Sequence, residues 1–361
     1  MTLAPILENL VKELNKQYGA GAVRLASEIP DTYHISTGVV NLDADIGGGV
    51  PLSKITIFMG PEHSGKTTLA LKAIANAQRT DRETYEPLEE VDGRFYRKST
   101  GEEGTPMQCV YLNVEGSFGK DWAKALGVDL SRLLEINVEY QEQAYDTLAS
   151  LILTKQVDLI VMDSLAMLTP SVEADSSVED QQMGVAARNN NKGFRKLASV
   201  MNKVESEGGR APAILIINQI RLKLGVMYGD PETMPGGLGQ LFAASLIVRF
   251  RAGKTIEVEK EMVGREYHYR IKKNKVTGFL REGAFELYLA DYGPYTKGDV
   301  NNIALVLDVA ARRGLIEKGG AWYTINGERI QGERKATEYL LANPDVYESL
   351  RQQVTEVLRS L

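Results

Sequence analysis

Five short apolar runs are spread through the middle of the chain. They are rich in branched and aromatic side chains, and helical periodicity is found between several of them, as at 67–78 and 144–156. The runs are ITIFM (55–59), CVYLNV (109–114), VDLIVMD (157–163), AILIIN (213–218) and SLIVRF (245–250). Buried strands that alternate with helices predict an α/β fold, in which helices cover both faces of a mainly parallel sheet.

Two later segments have the two-residue period of strands with one exposed face. EYHYRIKKNK (266–275) and FELYL (285–289) alternate polar and apolar residues, which predicts antiparallel strands at one side of the sheet. Before them, the polar stretch at 81–106 interrupts the alternation and contains an Asp-Gly pair at 92–93. We expect this stretch to form a surface excursion with a hairpin turn at that pair.

Both ends of the chain differ in pattern from the middle. Residues 3–17 predict an amphipathic helix, and the apolar segment AVRLAS (22–27) that follows predicts a strand. These two elements lack a core of their own, so they either pack on this chain or dock on a neighbour. After about Pro294, a helix at 299–313 precedes an Asn-Gly hairpin and C-terminal helices. The predicted parts are an N-terminal arm (1–30), a core (31–294) and a small α+β domain (295–361).

The composition is ordinary for a soluble globular protein of 361 residues, with 43% apolar and 25% charged residues. The net charge of −6 argues against a generally basic surface for nucleic acid but is compatible with a local basic site. The single cysteine, Cys109, excludes an internal disulfide and a cysteine-based metal site. No apolar run approaches the roughly 20 residues of a membrane helix, and the N-terminus lacks a signal-peptide pattern. We therefore expect a cytoplasmic protein without a membrane partner.

The stretch GPEHSGKTT (60–68) matches the phosphate-binding pattern G-x-x-x-x-G-K-[ST]. Its glycines let backbone N–H groups surround phosphates, Lys66 can reach the β- and γ-phosphates, and the Thr67 hydroxyl can bind Mg²⁺. A predicted strand precedes the stretch and a predicted helix follows it, so the helix N-terminus points at the phosphates. No role follows for His63. The candidate nucleotide-binding residues here are Gly60, Pro61, Glu62, His63, Ser64, Gly65, Lys66, Thr67 and Thr68.

Two carboxylates stand at the ends of predicted strands. Asp163 ends VDLIVMD and can hold the Mg²⁺ shell through water, although Asp163 and Ser164 are also ordinary helix-capping residues. Glu115 follows CVYLNV and can polarise a water for attack on a γ-phosphate. The alternative for Glu115 is a solvated charge at a strand end.

Two loops combine cations with polar or apolar residues. NQIRLKLGVMYGDPETMPGG (218–237) places Arg221 and Lys223 among exposed apolar residues, which suits phosphate contact and insertion between bases. The stretch at 170–196 leads into a helix that carries Arg188 and Arg195. The alternative for each is a mobile surface loop without a ligand.

Taken in order, GPEHSGKTTL, VDLIVMDSLAMLTP, MGVAAR, NQIRLKLGVMYGDPET, IKKNK and LIEKGGAWY resemble segments of the RecA recombinases. The resemblance covers nearly the whole chain, and the NQIR…PET and GAWY segments are its specific parts. It implies a RecA-type P-loop ATPase core that uses ATP and Mg²⁺. It further implies a DNA-dependent ATPase that forms helical filaments on single-stranded DNA and exchanges strands with homologous double-stranded DNA in repair and recombination.

The resemblance also implies roles for individual residues. Gln219 would sense the γ-phosphate, Lys273 and Lys275 would reach the ATP of a neighbouring subunit, and Trp122 would stack on adenine. Residues 1–30 would pack on the next subunit. The implied catalytic residues are Glu115, Lys66, Gln219, Lys273 and Lys275, and the implied Mg²⁺ residues are Thr67 and Asp163. The implied DNA-binding residues are Met183, Arg188, Arg195, Leu224, Gly236 and Gly237, and the loop pattern described above adds Arg221.

Several positions depart from the pattern of the family. Gly119 stands where bacterial members have an Asp near adenine, and Leu241 replaces a Lys near the subunit interface. Asn189–Asn191 form an unusual polar run, and the stretch at 81–106 has no counterpart. We interpret the chain as a divergent member, such as a phage would encode.

Two other functions share this core. A hexameric helicase or loader would form closed rings rather than filaments. A regulatory paralogue would bind ATP and DNA without strand exchange, although such proteins often lose the glutamate or loops that are present here. An ABC-type ATPase is disfavoured, since no LSGGQ-like signature occurs.

Overall fold

The computed structural model describes residues 4–19, 21–28, 32–174, 184–222 and 232–359. The helices in these ranges are α1 (Pro5–Tyr18), α2 (Val40–Ile46), α3 (Lys66–Ala77), α4 (Lys120–Ala125), α5 (Gln141–Leu153), α6 (Ser171–Ala174), α7 (Val185–Ser206), α8 (Gly239–Ala243), α9 (Asn302–Arg312), α10 (Glu333–Ala342) and α11 (Pro344–Arg359). Short 3₁₀ turns lie at Ala26–Glu28, Leu130–Arg132 and Leu165–Met167. None of the helices in the described ranges is both long and apolar enough to cross a membrane.

The strands of the same ranges include the five apolar runs of the sequence. They are β1 (His34–Ile35), β2 (Val50–Pro51), β3 (Ile55–Gly60), β4 (Leu88–Val91), β5 (Arg94–Arg97), β6 (Cys109–Asn113), β7 (Leu133–Asn137), β8 (Leu159–Asp163), β9 (Ala213–Gln219), β10 (Arg221–Leu222), β11 (Glu232–Thr233), β12 (Leu246–Val258), β13 (Glu261–Asn274), β14 (Glu282–Tyr288), β15 (Glu317–Gly319), β16 (Trp322–Ile325) and β17 (Glu328–Gln331).

In the described part of the chain, eight strands form one sheet in the order β14-β13-β12-β3-β9-β8-β6-β7. The six strands from β12 to β7 are parallel, whereas β13 and β14 are antiparallel additions, as predicted. Strand β7 was not predicted. It lies at the sheet edge, and its segment LLEIN is only partly buried, so it lacks the apolar run of the inner strands.

Apolar side chains on the two faces of the sheet form separate cores. On β3, Phe58 points to the face covered by α2 and α3, whereas Ile57 points to the face covered by α5 and α7. Both side chains are fully buried. Inner strands buried on both faces need apolar residues at consecutive positions, which explains the continuous runs of the sequence.

The stretch at 81–106 forms the expected hairpin, in which β4 and β5 are joined at Asp92 and Gly93. Both turn residues have positive φ (50° and 77°), as a tight hairpin turn requires. The part of the stretch before β4 packs on the core, because Tyr85 stacks on Tyr33 with ring centroids 4.1 Å apart. The fully buried Asp81 accepts hydrogen bonds from the backbone N–H groups of Thr84 and Thr105.

The two ends of the chain pack differently. Elements α9, α10, α11 and the β15-β16-β17 sheet share a core to which Ala44 of α2 also contributes. In contrast, Ile6 of α1 is 78% exposed. Residues 22–27 form no strand in the described chain, where Val23 instead exchanges two hydrogen bonds with the Asn15 side chain. A strand needs a pairing partner, and none is provided at this position by the described residues.

Buried Asp43 of α2 gives the fold a pH dependence. It accepts hydrogen bonds from Ser36 Oγ (2.6 Å), Thr37 N (2.9 Å) and Thr37 Oγ1 (2.7 Å), but burial raises its pKa to about 7. At pH values between the ordinary carboxyl pKa of 3.8 and about 7, Asp43 is protonated in the folded state and ionised in the unfolded state. The stabilisation that the bound proton provides is therefore lost as the pH rises through 7.

We expect Asp43→Asn to remove this dependence, because a carboxamide does not titrate. Between pH 5 and pH 7, the free energy of unfolding should fall by about 2 kcal/mol less in the variant than in the parent. Urea unfolding at both pH values measures the difference. An equal change in the free energy of unfolding of parent and variant would contradict the raised pKa of Asp43.

Candidate functional site

The P-loop connects β3 to α3 at the carboxyl edge of the sheet. Gly65 has φ of 87°, and a Cβ there would lie 3.1 Å from the Tyr267 ring, so an L side chain would be both strained and crowded. A Cβ on Gly60 would lie 2.4 Å from Phe250 O. The loop conformation therefore requires glycine at both positions. His63 also has positive φ (56°), and its side chain is exposed.

The Lys66 side chain lies inside the P-loop and is 6% exposed. Its Nζ donates to Gly60 O (3.0 Å), Pro61 O (2.5 Å) and Ser64 Oγ (3.2 Å). Burial lowers the pKa of Lys66, and the charges of Asp163 and Glu115 oppose that shift. The ammonium is thus held at the centre of the loop, close to both candidate carboxylates.

The side chain of Asp163, at the end of β8, links helix α3 and strand β6. Its Oδ2 accepts hydrogen bonds from Thr67 Oγ1 (2.8 Å) and from Tyr111 Oη (2.8 Å). Burial raises the pKa of Asp163, while these two hydrogen bonds oppose the shift. Tyr111 was not predicted. Its available signal was a hydroxyl within the apolar run CVYLNV, on the strand that neighbours β8.

Glu115 lies beside Asp163 and is held by Ser164. Ser164 Oγ donates to Glu115 Oε1 (2.6 Å), and the Val114 backbone N–H donates to Asp163 O (2.8 Å). Ser164 stands at the N-cap of a 3₁₀ turn but makes no side-chain capping hydrogen bond there. Its hydroxyl therefore positions the exposed carboxylate of Glu115 at the sheet edge rather than capping a helix.

These groups fit a nucleotide with a hard divalent cation. The Thr67 hydroxyl and the Asp163 carboxylate supply adjacent oxygen ligands, which Mg²⁺ prefers, and Lys66 supplies a positive charge for phosphates. Within the described ranges, no group of three or more His, Cys, Asp or Glu side chains could hold a metal. A Mg²⁺ ion here would therefore share its coordination between these two side chains, water and phosphate oxygens.

Trp122 lies beside the first turn of α3. Its Nε1 donates to Thr68 Oγ1 (3.2 Å), and Lys297 Nζ lies 5.7 Å from the centroid of its ring. The ring is half-buried against the core. The structure therefore places an aromatic surface next to the P-loop, as stacking on a base would require.

Gln219 is the last residue of β9 and lies beside the P-loop. Strands β3 and β9 are neighbours, and their register pairs Gln219 directly with Gly60. The chain continues into β10, where Arg221 is exposed and pairs with Thr233 of β11. The proposed sensor thus stands between the phosphate loop and the second candidate DNA-binding segment.

Helix α7 exposes a cationic face. Arg188, Lys192 and Arg195 are exposed and follow each other at spacings of four and three residues, so they lie on one side of the helix. The opposite side is buried and contains Asn190, Phe194, Leu197, Met201 and Val204. Gly236 and Gly237 lie against this helix, and a Cβ on Gly237 would be 3.0 Å from Ala187 Cβ. Met183 and Leu224 lie outside the described residues.

Comparison with known families matches both parts of this architecture. The RecA N-terminal domain matches residues 5–85 and 100–293, and the RecA C-terminal domain matches residues 304–359. The chain is also 35% identical to Protein RecA of Thermus aquaticus over 355 residues, which are 97% of this chain and 93% of that protein.

The chain belongs to the RecA family. RecA proteins are DNA-dependent ATPases, and the chain is a recombinase of DNA recombination and repair. The family generally uses ATP with Mg²⁺. The fold and family expected from the sequence are thereby confirmed. The family match omits residues 86–99, which lie within the stretch at 81–106 that we expected to have no RecA counterpart.

The two RecA-type lysines of the IKKNK segment lie away from the P-loop of their own chain. Lys273 pairs with Ile247 of β12, which pairs with Ile57 of β3. Gly60 lies three residues beyond Ile57 along β3, which separates the two residues by roughly 10 Å at about 3.3 Å per residue. Lys273 Nζ donates to Leu241 O, and Lys275 N donates to Ser245 O (2.8 Å). Within one chain, therefore, the lysines lie towards the opposite end of the central strands from the phosphate loop.

Proposed function

We propose that the chain polymerises as a helical filament on single-stranded DNA, hydrolyses ATP with Mg²⁺ between subunits, and exchanges strands with homologous double-stranded DNA. Its place of action would be the cytoplasm. ATP would act mainly as a clamp, because the bound form would stabilise the DNA-binding state and hydrolysis would release it.

The register of Gln219 with Gly60 is the observation that carries this proposal. A phosphate loop beside the strand that leads into a DNA-binding segment provides a direct route from nucleotide state to DNA affinity.

Each residue of the ATP site has a distinct role in the proposal. Lys66 would bind the β- and γ-phosphates, Thr67 and Asp163 would hold the Mg²⁺ shell, and Glu115 would orient the attacking water as general base. Bound Mg²⁺ would neutralise charge that develops on the phosphates. The Ser164 hydroxyl keeps Glu115 in place for this step.

The filament would complete both the ATP site and the DNA site. Lys273 and Lys275 would act on the ATP of the next subunit, in the manner of arginine fingers. The N-terminal arm, residues 1–30, would pack on that subunit. The cations Arg188, Arg195 and Arg221 would line the filament axis, where repetition concentrates positive charge despite the net charge of −6.

ATP turnover with and without single-stranded DNA tests this function. We expect DNA to stimulate turnover, and electron microscopy with a slowly hydrolysed ATP analogue to show helical filaments on the DNA. Absence of stimulation at every protein concentration would contradict the proposal, and closed rings would favour a helicase or loader.

We expect Trp122→Ala to weaken ATP binding about tenfold, because base–aromatic stacking contributes about 1–3 kcal/mol. The chain has two tryptophans, so Trp322→Ala is the matched control and should bind ATP like the parent. In Trp322→Ala, the remaining tryptophan fluorescence should change on titration with a slowly hydrolysed ATP analogue. Equal affinities in both alanine variants would place the base elsewhere.

A further inference from the structure

A set of buried amide side chains joins the end of β9 to segment 235–237. Asn218, the residue before Gln219, is fully buried, and its Nδ2 donates to Gln240 Oε1 (2.7 Å) and Pro235 O (3.2 Å). Gln240 is also fully buried, and its Nε2 donates to Pro235 O (2.7 Å) and Gly237 O (3.0 Å). Both carboxamides thus bind the backbone at the end of the second candidate DNA-binding segment.

The same segment is tied to the helix of the first candidate DNA-binding region. Asn190 of α7 is 1% exposed, and its Nδ2 donates to Gly236 O (3.2 Å) while its Oδ1 accepts from Tyr145 Oη (2.9 Å). Gly236 has φ of 99°, and a Cβ there would lie 2.6 Å from Asn190 Nδ2. This close approach requires glycine and leaves no space for a side chain between α7 and the segment.

Helix α5, which contains Tyr145, makes a second contact with α7 through Glu142. Glu142 accepts hydrogen bonds from Asn189 Nδ2 (2.6 Å) and from the Ser171 backbone N–H (3.0 Å). One carboxylate thus links the N-terminus of α6 to helix α7. Asn189 and Asn190 of the polar run therefore make structural contacts and are not part of the exposed cationic face.

Buried amide groups favour discrete arrangements, because a buried donor or acceptor that loses its partner is strongly unfavourable. Within the part of the chain that the structure describes, Asn218 Oδ1 is buried without a hydrogen-bond partner. This spare acceptor lies one residue from Gln219. An alternative arrangement of the segment that supplied a donor would be stabilised by it.

We propose that Gln240, Asn190 and Tyr145 are positioning residues that couple the nucleotide state at Gln219 to both DNA-binding segments. A shift at the end of β9 moves Asn218, which moves segment 235–237 through Gln240 and helix α7 through Asn190. The inference rests on the proposed function and adds the contacts that transmit the signal beyond Gln219.

The test compares single-stranded DNA affinity, at one salt concentration, with and without a slowly hydrolysed ATP analogue. Gln240→Leu removes the network's central carboxamide at similar volume, and Tyr145→Phe removes only one hydroxyl. We expect analogue affinity and nucleotide-free DNA affinity to stay within about twofold of the parent. The gain in DNA affinity caused by the analogue should fall about tenfold in Gln240→Leu and about threefold in Tyr145→Phe, within the range for coupling residues.

Asn41→Ala is a matched control, because Asn41 is a buried amide that donates to Ala284 O (2.9 Å) outside this network. Asn41→Ala should leave unchanged the gain in DNA affinity that the analogue causes. Equal losses of DNA affinity with and without the analogue would show a purely structural role and overturn the inference. A folded Gln240→Leu variant with the same analogue-dependent gain in DNA affinity as the parent would also overturn the inference. If Gln240→Leu does not fold, the same measurement on Tyr145→Phe decides between the outcomes. If the DNA affinity of the parent protein does not change when the analogue is added, the proposed function itself is overturned.

Discussion

Replacement of Lys273 and Lys275 by alanine should lower DNA-stimulated ATP turnover about 10³-fold while each subunit still binds ATP, as for the loss of cationic groups supplied in trans. The expectation rests on strand register, which places both lysines towards the opposite end of the central strands from the P-loop of the same chain. In the proposed filament, side chains there would stabilise γ-phosphate charge on a neighbouring molecule. Turnover assays and analogue binding provide the two measurements.

Mixing two inactive variants gives a sharper test of the shared site. Lys66→Ala lacks the phosphate lysine but keeps Lys273 and Lys275, whereas the double variant has the opposite defect. In a random equimolar filament, about a quarter of the head-to-tail interfaces would combine both intact halves. We therefore expect the mixture to recover up to about a quarter of parental turnover, although each variant alone is inactive.

Lys272→Ala is the matched control for charge. Lys272 is the exposed lysine that directly precedes Lys273 on β13, so its replacement removes one positive charge beside the proposed pair. This variant should keep turnover within about twofold of the parent, as is usual for a surface substitution away from the site. Normal turnover of the double variant, or of the parent as a dilute monomer, would contradict a site shared between subunits.

The parts of this fold that could be predicted from the sequence are those whose cause is local. Inner strands such as β3 need apolar residues on both faces, and the P-loop needs glycines at fixed spacing, so both leave a signal in consecutive residues. Edge strand β7 leaves a weaker signal, because its segment LLEIN is only partly buried. The expected strand at 22–27 has a suitable apolar pattern, but that pattern contains no information about a pairing partner.

The contacts that support the site could not be predicted in the same way. Tyr111 reaches Asp163 across 52 residues of sequence, and Tyr145 reaches Asn190 across 45. Each bond depends on the register of strands or the rotation of a helix. A polar residue at a buried helix position, such as Asn190, has the same local pattern as an exposed one until its partner is known. The groups expected to act on ATP could therefore be predicted from the sequence, whereas the groups that hold them in place could not.

Replacement of Glu115 by glutamine should lower ATP turnover by about 10²–10⁴-fold, the usual contribution of a general base. Glutamine has nearly the same shape and can still accept from Ser164 Oγ, whose hydrogen bond to Glu115 is 2.6 Å long. ATP binding should therefore be preserved, since Lys66, Thr67 and Asp163 are unchanged. Steady-state turnover and analogue affinity separate the chemical step from binding.

Glu115→Gln also distinguishes two roles of ATP. In one role ATP acts as a clamp through its bound form, and in the other it acts as a source of work through hydrolysis at each step. If the bound nucleotide stabilises the DNA-binding state and hydrolysis releases it, slower hydrolysis must lengthen the life of the filament. Labelled single-stranded DNA should then dissociate more slowly from Glu115→Gln in ATP than from the parent. Glu139→Gln, at an exposed carboxylate just beyond β7, should behave like the parent. Fast DNA release from a hydrolysis-defective Glu115→Gln would contradict the clamp, because release would then be independent of the step that Glu115 promotes.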